Sequence, residues 1–147
     1  MSGAVETALD PQAQAEKRTA EMWAEDTASK AMGMELLDVG PGFARMRMPV
    51  REDMVNGHGT LHGGFTFAFA DSVFAFAANS YDYQAVGVQC DITYHAPGRL
   101  GDVLIGIGRE VTRAGRAGLY DVAVQREDGT LIASFRGNSR IVTPRAK

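Results

Sequence analysis

The chain has 147 residues, of which 45% are hydrophobic and 22% are charged, and its formal net charge is −3. These values are ordinary for one globular domain, here residues 1–147, and they exclude a general basic surface for nucleic acid or an anionic membrane. The single cysteine, Cys90, excludes an intrachain disulfide. The longest apolar stretch, residues 65–78, is shorter than the roughly 20 residues of a membrane span, and the first residues show no secretory signal. We therefore expect a cytoplasmic protein.

The first half of the chain is predicted to form a helix followed by a strand. Asp10 and Pro11 make a typical helix start and Gly33 a typical end, so we expect a helix over about residues 10–32. Residues 43–50 alternate between apolar and polar side chains. This alternation is typical of a half-buried strand.

The segment over residues 63–80 is ambiguous by periodicity alone. Three phenylalanines at alternate positions suggest a strand, but the length of the segment and its many alanines favour a helix that is buried almost all round. In the strand expected after it, Val86, Val88 and Cys90 are predicted to share the apolar face. Strands are expected over residues 86–94, 103–111, 119–126 and 131–142.

This order of elements predicts an α+β hotdog fold, in which a curved antiparallel sheet wraps around a long central helix. The core is expected over about residues 34–142, with an extra N-terminal helix. A helix that is apolar on all sides must be covered, and a curved sheet is a stable way to cover it. Open sheet edges need pairing, so we also expect a homo-oligomer.

One carboxylate and one glycine pair stand out in and before the central helix. Asp71 lies in the middle of the apolar segment, where an unpaired carboxylate costs several kcal/mol unless it is satisfied or used. It could instead cap a neighbouring loop or face solvent. Gly63 and Gly64 follow His62 at the expected helix start, where free N–H groups form a ready oxyanion hole. A tight turn would explain the two glycines equally well.

The spacing of these residues bears on how they could work together. Asp71 follows Gly63 by eight residues, which is about 12 Å along a helix. Either a long, thin substrate meets both residues, or the carboxylate comes from a partner subunit. Asn56 could place a water molecule or the carbonyl of a substrate, or it could be an ordinary turn former.

Five segments together resemble the PaaI-type hotdog acyl-CoA thioesterases of phenylacetic acid degradation, and the resemblance covers about residues 15–142. In chain order they read NGHGTLHGG, FAFADSVFAFAANSY, DITYHAPGRLGD, GLYDV and SFRGNSRI. The resemblance implies hydrolysis of acyl-CoA thioesters, most of all phenylacetyl-CoA or ring-hydroxylated phenylacetyl-CoA. It implies Asp71 as nucleophile or general base, Gly63 as oxyanion N–H donor and Asn56 as the residue that orients water or carbonyl.

The resemblance also has implications for the assembly of the protein and for its cofactors. The site is expected at a subunit interface, in a homotetramer built from two dimers. No metal or prosthetic group is implied, since CoA is part of the substrate. Some relatives carry a hydroxyl residue one turn after the carboxylate, where this chain has Ala75, and the family often has Cys where this chain has Leu61.

The phosphates of CoA call for arginines, and the resemblance places the nucleotide near residues 94–99 and 113–117. Each arginine could equally be a solvated loop residue. Aromatic side chains of the helix region could line the acyl pocket or belong to the core. The residues expected to bind substrate are His62, Gly64, Tyr94, Arg99, Arg113, Gly115 and Arg116. The aromatic residues considered for the pocket are Phe65, Phe67, Phe74 and Tyr81.

Other functions are weighed against thioester hydrolysis. A zinc site is not expected, because Gly59 separates His58 from His62 and the chain has one cysteine and three histidines. A hotdog hydratase or dehydratase would need an acid/base pair, which Asp71 with either histidine could supply. A non-catalytic acyl-CoA-binding module on the same fold also stays open.

Overall fold

The structure is a computed structural model that describes residues 9–142. It contains three α-helices, a short 3-10 helix and six strands within that range. The helices are α1 (Pro11–Glu25), α2 (Thr27–Ala31) and α3 (Gly63–Ala78), with the 3-10 helix at Glu52–Met54. The strands are β1 (Glu35–Gly40), β2 (Phe43–Pro49), β3 (Gln84–Tyr94), β4 (Val103–Ala114), β5 (Ala117–Arg126) and β6 (Leu131–Val142).

The six strands form one antiparallel sheet in the order β1-β2-β4-β5-β6-β3, and α3 packs against it. Most of the α3 side chains are buried, including Phe69, Phe74 and Phe76. The hotdog fold is therefore confirmed, and so is the choice of a helix for the ambiguous segment. Among residues 9–142, no helix is both long and apolar enough to cross a membrane.

Glycines in the sheet allow α3 to lie close to it. A Cβ atom added at Gly106 of β4 would stand 2.7 Å from Cγ2 of Val73, and one added at Gly137 of β6 would stand 2.8 Å from Cζ of Phe74. Both distances are too short for any side chain. These two positions therefore set the separation between the helix and the sheet.

The predicted N-terminal helix is divided in two at Asp26. The Asp26 carboxylate caps α2, accepting hydrogen bonds from the backbone N–H of Ser29 at 2.8 Å and from its hydroxyl at 2.7 Å. An N-cap residue adopts a non-helical backbone, so a continuous helix over residues 10–32 cannot persist through it. The Ser29 hydroxyl also lies 2.9 Å from that of Ser72, which ties α2 to α3.

Strand β2 confirms the alternation read from the sequence. Its apolar side chains, among them Met46 and Met48, are fully buried against the core. Arg45 and Arg47 point the other way and form ion pairs across to the carboxylates of β1 at 2.7 and 2.8 Å.

Strand β3 differs from its predicted pattern because it contains a β-bulge between Gly87 and Gln89. A bulge adds one residue to the strand and shifts the alternation of side chains. The prediction that Val86 and Val88 share the apolar face with Cys90 is therefore wrong. Cys90 packs against the core, whereas Val86 is 44% exposed and Val88 is 60% exposed. Strand β3 is also an edge of the sheet.

Candidate active site

Asp71 lies midway along α3 and opens into a cavity of about 580 Å³ between α1, α3 and β3. The carboxylate is accessible in this single chain, yet partial burial removes enough water from around it to raise its pKa above the usual 3.8. Burial is the whole cause of this shift. No cation or hydrogen-bond donor among residues 9–142 offsets it. Asp71 therefore caps no loop in the described chain, and its carboxylate is available to a ligand.

The first turn of α3 leaves one backbone N–H group free. His62 is the N-cap residue, and its Nδ1 accepts a hydrogen bond from the N–H of Gly64 at 2.9 Å. The N–H of Phe65 donates to the carbonyl oxygen of His62 at 3.0 Å. Within the described residues, the N–H of Gly63 has no such acceptor. Of the two glycines singled out from the sequence, Gly63 is thus the one able to donate to an oxyanion.

Tyr94 covers Gly63 from the end of β3. Its hydroxyl donates a hydrogen bond to the carbonyl oxygen of Gly63 at 2.9 Å. A Cβ atom at Gly63 would lie 3.1 Å from Cζ of Tyr94, so only glycine fits without a movement of the tyrosine. Both residues line a second cavity of about 320 Å³, together with Thr66 and the loop that follows β3.

Asn56 stabilises the loop that precedes α3. Its Oδ1 accepts hydrogen bonds from the N–H groups of His58 at 2.9 Å and Thr60 at 3.2 Å. Its own N–H donates to the carbonyl oxygen of Thr60 at 2.8 Å. The side-chain carbonyl of Asn56 thus acts as a turn former, and its amide nitrogen is the group left for a water molecule or a substrate.

The arginines expected to bind CoA do not lie together in one chain. Tyr94 pairs with Ala133 at one end of the sheet, where the loop carrying Arg99 also lies. The hairpin with Gly115 and Arg116 lies at the opposite end, about 30 Å away by the rise of an 11-residue strand. One CoA molecule therefore cannot contact both regions of a single chain at close range.

Arg113 takes part in a polar cluster at the hairpin end of the sheet. Its Nε lies 2.8 Å from Oε1 of Glu110, and its guanidinium stands 3.8 Å from the ring centroid of Tyr81. The hydroxyls of Tyr81 and Tyr120 each donate to the same Glu110 oxygen at 3.0 Å. The side chain of Arg113 is thus held by the chain itself. Within the described residues, Arg99 and Arg116 form no ion pair.

The two histidines considered for an acid/base pair lie away from Asp71 in the single chain. His62 precedes Asp71 by nine residues, which is about 13 Å along α3. His58 is exposed in the loop before it. Across residues 9–142, no three His, Cys, Asp or Glu side chains are grouped in a way that could hold a metal ion.

The sequence predictions missed the contribution of α1 to the site. Arg18, Glu21 and Met22 line the Asp71 cavity from the side opposite α3. Their spacing puts them on one helical face, but only the packing shows what that face covers. Among the aromatic residues considered for the acyl pocket, Phe74 lines this cavity, whereas Tyr81 belongs to the Glu110 cluster.

Comparisons with known proteins match this geometry to one family. The model of the thioesterase superfamily matches residues 58–133, a range that contains Gly63, Asp71 and Tyr94. The acyl-coenzyme A thioesterase PaaI of Escherichia coli is 36% identical over 118 residues, which cover 80% of this chain and 84% of that protein. The chain belongs to the thioesterase superfamily.

Solved structures agree with this assignment. The structure of the E. coli PaaI protein from the phenylacetic acid degradation operon has a TM-score of 0.90 at 31% identity, covering 94% of this chain and all of that one. A mutant of the phenylacetic acid degradation protein PaaI from Thermus thermophilus has a TM-score of 0.77 at 37% identity, covering 80% and 100%. A Streptococcus mutans protein bound to acetyl CoA has a TM-score of 0.73 at 25% identity, covering 77% and 91%.

Proposed function

We propose that this protein hydrolyses acyl-CoA thioesters to the free acid and CoA. The observation that carries the proposal is the Asp71 carboxylate, which has no partner among residues 9–142 and opens into a cavity of about 580 Å³. Keeping such a carboxylate in an apolar helix costs free energy, which fits a chemical role better than a structural one. The family supports thioester hydrolysis as the reaction, and the E. coli relative supports acyl-CoA as the substrate class.

The proposal includes a homodimer built through the free edge of β3. This edge is 11 residues long and carries the exposed side chains of Val86 and Val88. An open apolar edge invites pairing with a second copy about a two-fold axis. Antiparallel pairing centred on the middle of β3 puts Tyr94 of one copy beside Gln84 of the other. It thereby brings Gly63 of one subunit next to the cavity that holds Asp71 of its partner.

In this proposed dimer, the Gly63 cavity of one subunit and the Asp71 cavity of its partner serve one reaction. The thioester carbonyl oxygen accepts the Gly63 N–H of one subunit while the carbonyl carbon faces the partner's Asp71. In one route a carboxylate oxygen attacks this carbon, the C–S bond breaks, and water then hydrolyses the resulting anhydride. In the other route Asp71 takes a proton from a water molecule that attacks, and the CoA thiolate leaves as the C–S bond breaks. Asn56 orients the water or the carbonyl.

The same dimer brings the two ends of the sheet together for the CoA moiety. Arg99 of one subunit and Arg116 of the other then flank one site, and both side chains are free of ion pairs within the described residues. His62, Gly64 and Gly115 line the path between them in this proposal. Two such dimers are proposed to form a tetramer. Arg113 contributes indirectly, because it holds the strand from which the hairpin projects.

For the acyl group we propose phenylacetyl or a ring-hydroxylated phenylacetyl. The name of the E. coli operon supports this class, and the Asp71 cavity has room for one aromatic ring beside Phe74. The proposed steps use only a carboxylate, backbone N–H groups and water, so we propose that no cofactor takes part. We also propose a cytoplasmic location, which suits a chain whose single cysteine stays a free thiol.

The test is to follow free CoA with a thiol reagent. The purified protein is incubated with phenylacetyl-CoA, ring-hydroxylated phenylacetyl-CoA, hydroxybenzoyl-CoA and straight-chain acyl-CoAs, with Asp71→Asn alongside. We expect rapid release from arylacetyl esters and a loss of several orders of magnitude in kcat for the variant. Binding of these esters without release of thiol would overturn the proposal in favour of a binding module. Hydration of an enoyl-CoA without release of thiol would favour a hydratase.

A further inference from the structure

Side chains of α1 and then α2 contact α3 and the segment after it in antiparallel order. A guanidinium nitrogen of Arg18, Nη2, donates to the carbonyl oxygen of Tyr83 at 3.2 Å, just beyond the C-terminal end of α3. The rings of Trp23 and Phe76 lie 6.0 Å apart between centroids. Farther along, the hydroxyls of Ser29 and Ser72 meet at 2.9 Å. Residue numbers rise through α1 and α2 as those of their partners fall from 83 to 72, so Arg18 lies at the end of the cavity remote from Asp71.

The cavity between these two helices has a defined length. Its wall on α3 is formed by Asp71, Ala75 and Ala78, which follow one face of the helix over about 10 Å. The two alanines leave open the space that larger side chains would fill. An acyl group whose carbonyl is held at Asp71 therefore extends along α3 toward Arg18 on α1.

The Arg18 guanidinium is not fully used by the chain. Nη1 lies 3.7 Å from Oε2 of Glu21, which is beyond hydrogen-bond distance. Nε is enclosed and has no acceptor among residues 9–142. The two groups form a long ion pair, and because the Arg18 side chain is 25% exposed and that of Glu21 is 54% exposed, a ligand in the cavity reaches the exposed side of this pair.

We propose that Arg18 and Glu21 form the specificity-determining pair that recognises a hydroxyl group at the far end of the acyl moiety. A hydroxyl both donates and accepts, so one that lies beside the pair accepts from Nη1 of Arg18 and donates to the Glu21 carboxylate. A carboxylate on the acyl group is disfavoured, because Glu21, Glu25 and Asp26 outnumber Arg18 along this wall. This inference rests on the proposed thioesterase function and deepens it by assigning the residues that recognise a hydroxyl of the acyl group.

The experiment compares kcat/KM for ring-hydroxylated and unsubstituted phenylacetyl-CoA in the full-length protein. We expect Arg18→Met to lower the ratio of the two values about tenfold, as fits the loss of one charged hydrogen bond. The main drop falls on the hydroxylated ester, because only that ester carries the group that Arg18 contacts. Glu21→Gln keeps an acceptor without the charge, so its ratio drops less. Lys17→Met is the matched control, since it removes the same charge from an adjacent residue that does not line the cavity.

The possible outcomes distinguish the recognition role of Arg18 and Glu21 from the thioesterase activity itself. A protein that hydrolyses both esters, with a ratio unchanged in Arg18→Met and Glu21→Gln, would overturn the recognition role and leave the proposed function intact. An equal loss for both esters would assign Arg18 to folding or helix packing, and thermal unfolding of each variant checks this. Absence of hydrolysis of every ester by the wild-type protein would overturn both proposals.

Discussion

The imidazole of His62 accepts the backbone N–H of Gly64 at 2.9 Å, and this bond decides which N–H of the α3 start stays free. The N–H of Gly63 has no acceptor within the described residues, and Gly63 lines the cavity that Tyr94 also lines. Helix N-termini offer several unpaired donors, but here the cap residue removes one of them. Because His62 accepts the N–H of Gly64, the N–H of Gly63 is the group at this helix start that is left to bind an oxyanion.

This position permits a substitution that removes one hydrogen-bond donor with little effect on the helix. Proline is tolerated at the first residue of a helix, and the extended backbone of His62, at φ −62° and ψ 129°, suits the residue before a proline. We expect Gly63→Pro to fold and to lower kcat about 10²–10³-fold through loss of the oxyanion N–H. Gly63→Ala displaces Tyr94 in the same way but keeps the N–H, so it should retain most of kcat. Equal losses in both variants would assign the effect to Tyr94 instead.

The raised pKa of Asp71 predicts how activity and stability depend on pH. If Asp71 acts as an anion, the acid limb of the kcat/KM profile lies above 3.8 and disappears in Asp71→Asn. The folded protein disfavours the ionised carboxylate, so this group lowers stability as pH rises from 3.8 through its higher folded pKa. Asp71→Asn should therefore unfold at the same or higher temperature than wild type at pH 7, with no difference at pH 3. A lower melting temperature at pH 7 would contradict the unpaired state of Asp71.

The cross-subunit site predicts that two inactive variants restore each other. Gly63→Pro and Asp71→Asn, unfolded together and refolded as a mixture, should form half of their dimers as mixed pairs. Each mixed dimer has one intact site and one doubly altered site, so about a quarter of wild-type activity should return. Each variant refolded alone is the control. A site built within a single chain would give no recovery, and free CoA release distinguishes the two cases.

The Glu110 cluster predicts a non-additive stability effect. The Tyr120 hydroxyl is buried and donates to Glu110, and burial together with this carboxylate raises the pKa of Tyr120. Glu110→Ala should cost about 1–3 kcal/mol of unfolding free energy, because it leaves the buried hydroxyl without an acceptor. Adding Tyr120→Phe should restore part of that loss. Urea unfolding of the two single variants and the double variant measures the coupling, and strictly additive values would contradict the contact.

The arginines of the hairpin are expected to separate into two roles. Arg113→Met should lower the melting temperature, because it removes the partner of Glu110 and the contact with Tyr81. Arg116→Met should leave the melting temperature unchanged and raise KM for CoA esters about tenfold or more, as expected for a lost phosphate contact. Arg99→Met should behave like Arg116→Met. If Arg113→Met raised KM at unchanged stability, the nucleotide would contact Arg113 directly.

Local patterns in the sequence were sufficient for most of the fold. The alternation in β2 follows from burial of one face of the strand, and the length and alanine content of α3 suit a helix buried in the core. Both predicted elements were confirmed. The division of the first helix at Asp26 was missed, since the apolar stripe continues past it and the capping of α2 by Asp26 is seen only in the structure. The bulge in β3 was missed for a similar reason. A bulge inserts one residue into the strand, and the alternation of apolar residues in the sequence does not show where that residue is.

The candidate residues of the site could be selected from the sequence, but their arrangement could not. Asp71 and Gly63 were selected as candidates because of their residue types and their positions in the predicted helix, and the resemblance implied their roles, which stay predictions. The separation of Arg99 from Arg116 follows from strand register, which a single sequence does not specify. The role of α1 as a cavity wall depends on contacts between residues more than 40 positions apart, such as Arg18 and Tyr83.

The glycine beneath Phe74 has a consequence for the size of the acyl group. The ring of Phe74 forms part of the Asp71 cavity, and it rests on the backbone of Gly137, where an added Cβ would come within 2.8 Å. A methyl group at that position would force the ring to shift, and the ring lines the cavity. The shape of the cavity therefore depends on Gly137, a residue of β6 that does not itself line the cavity, and a substitution there is expected to change which acyl groups fit.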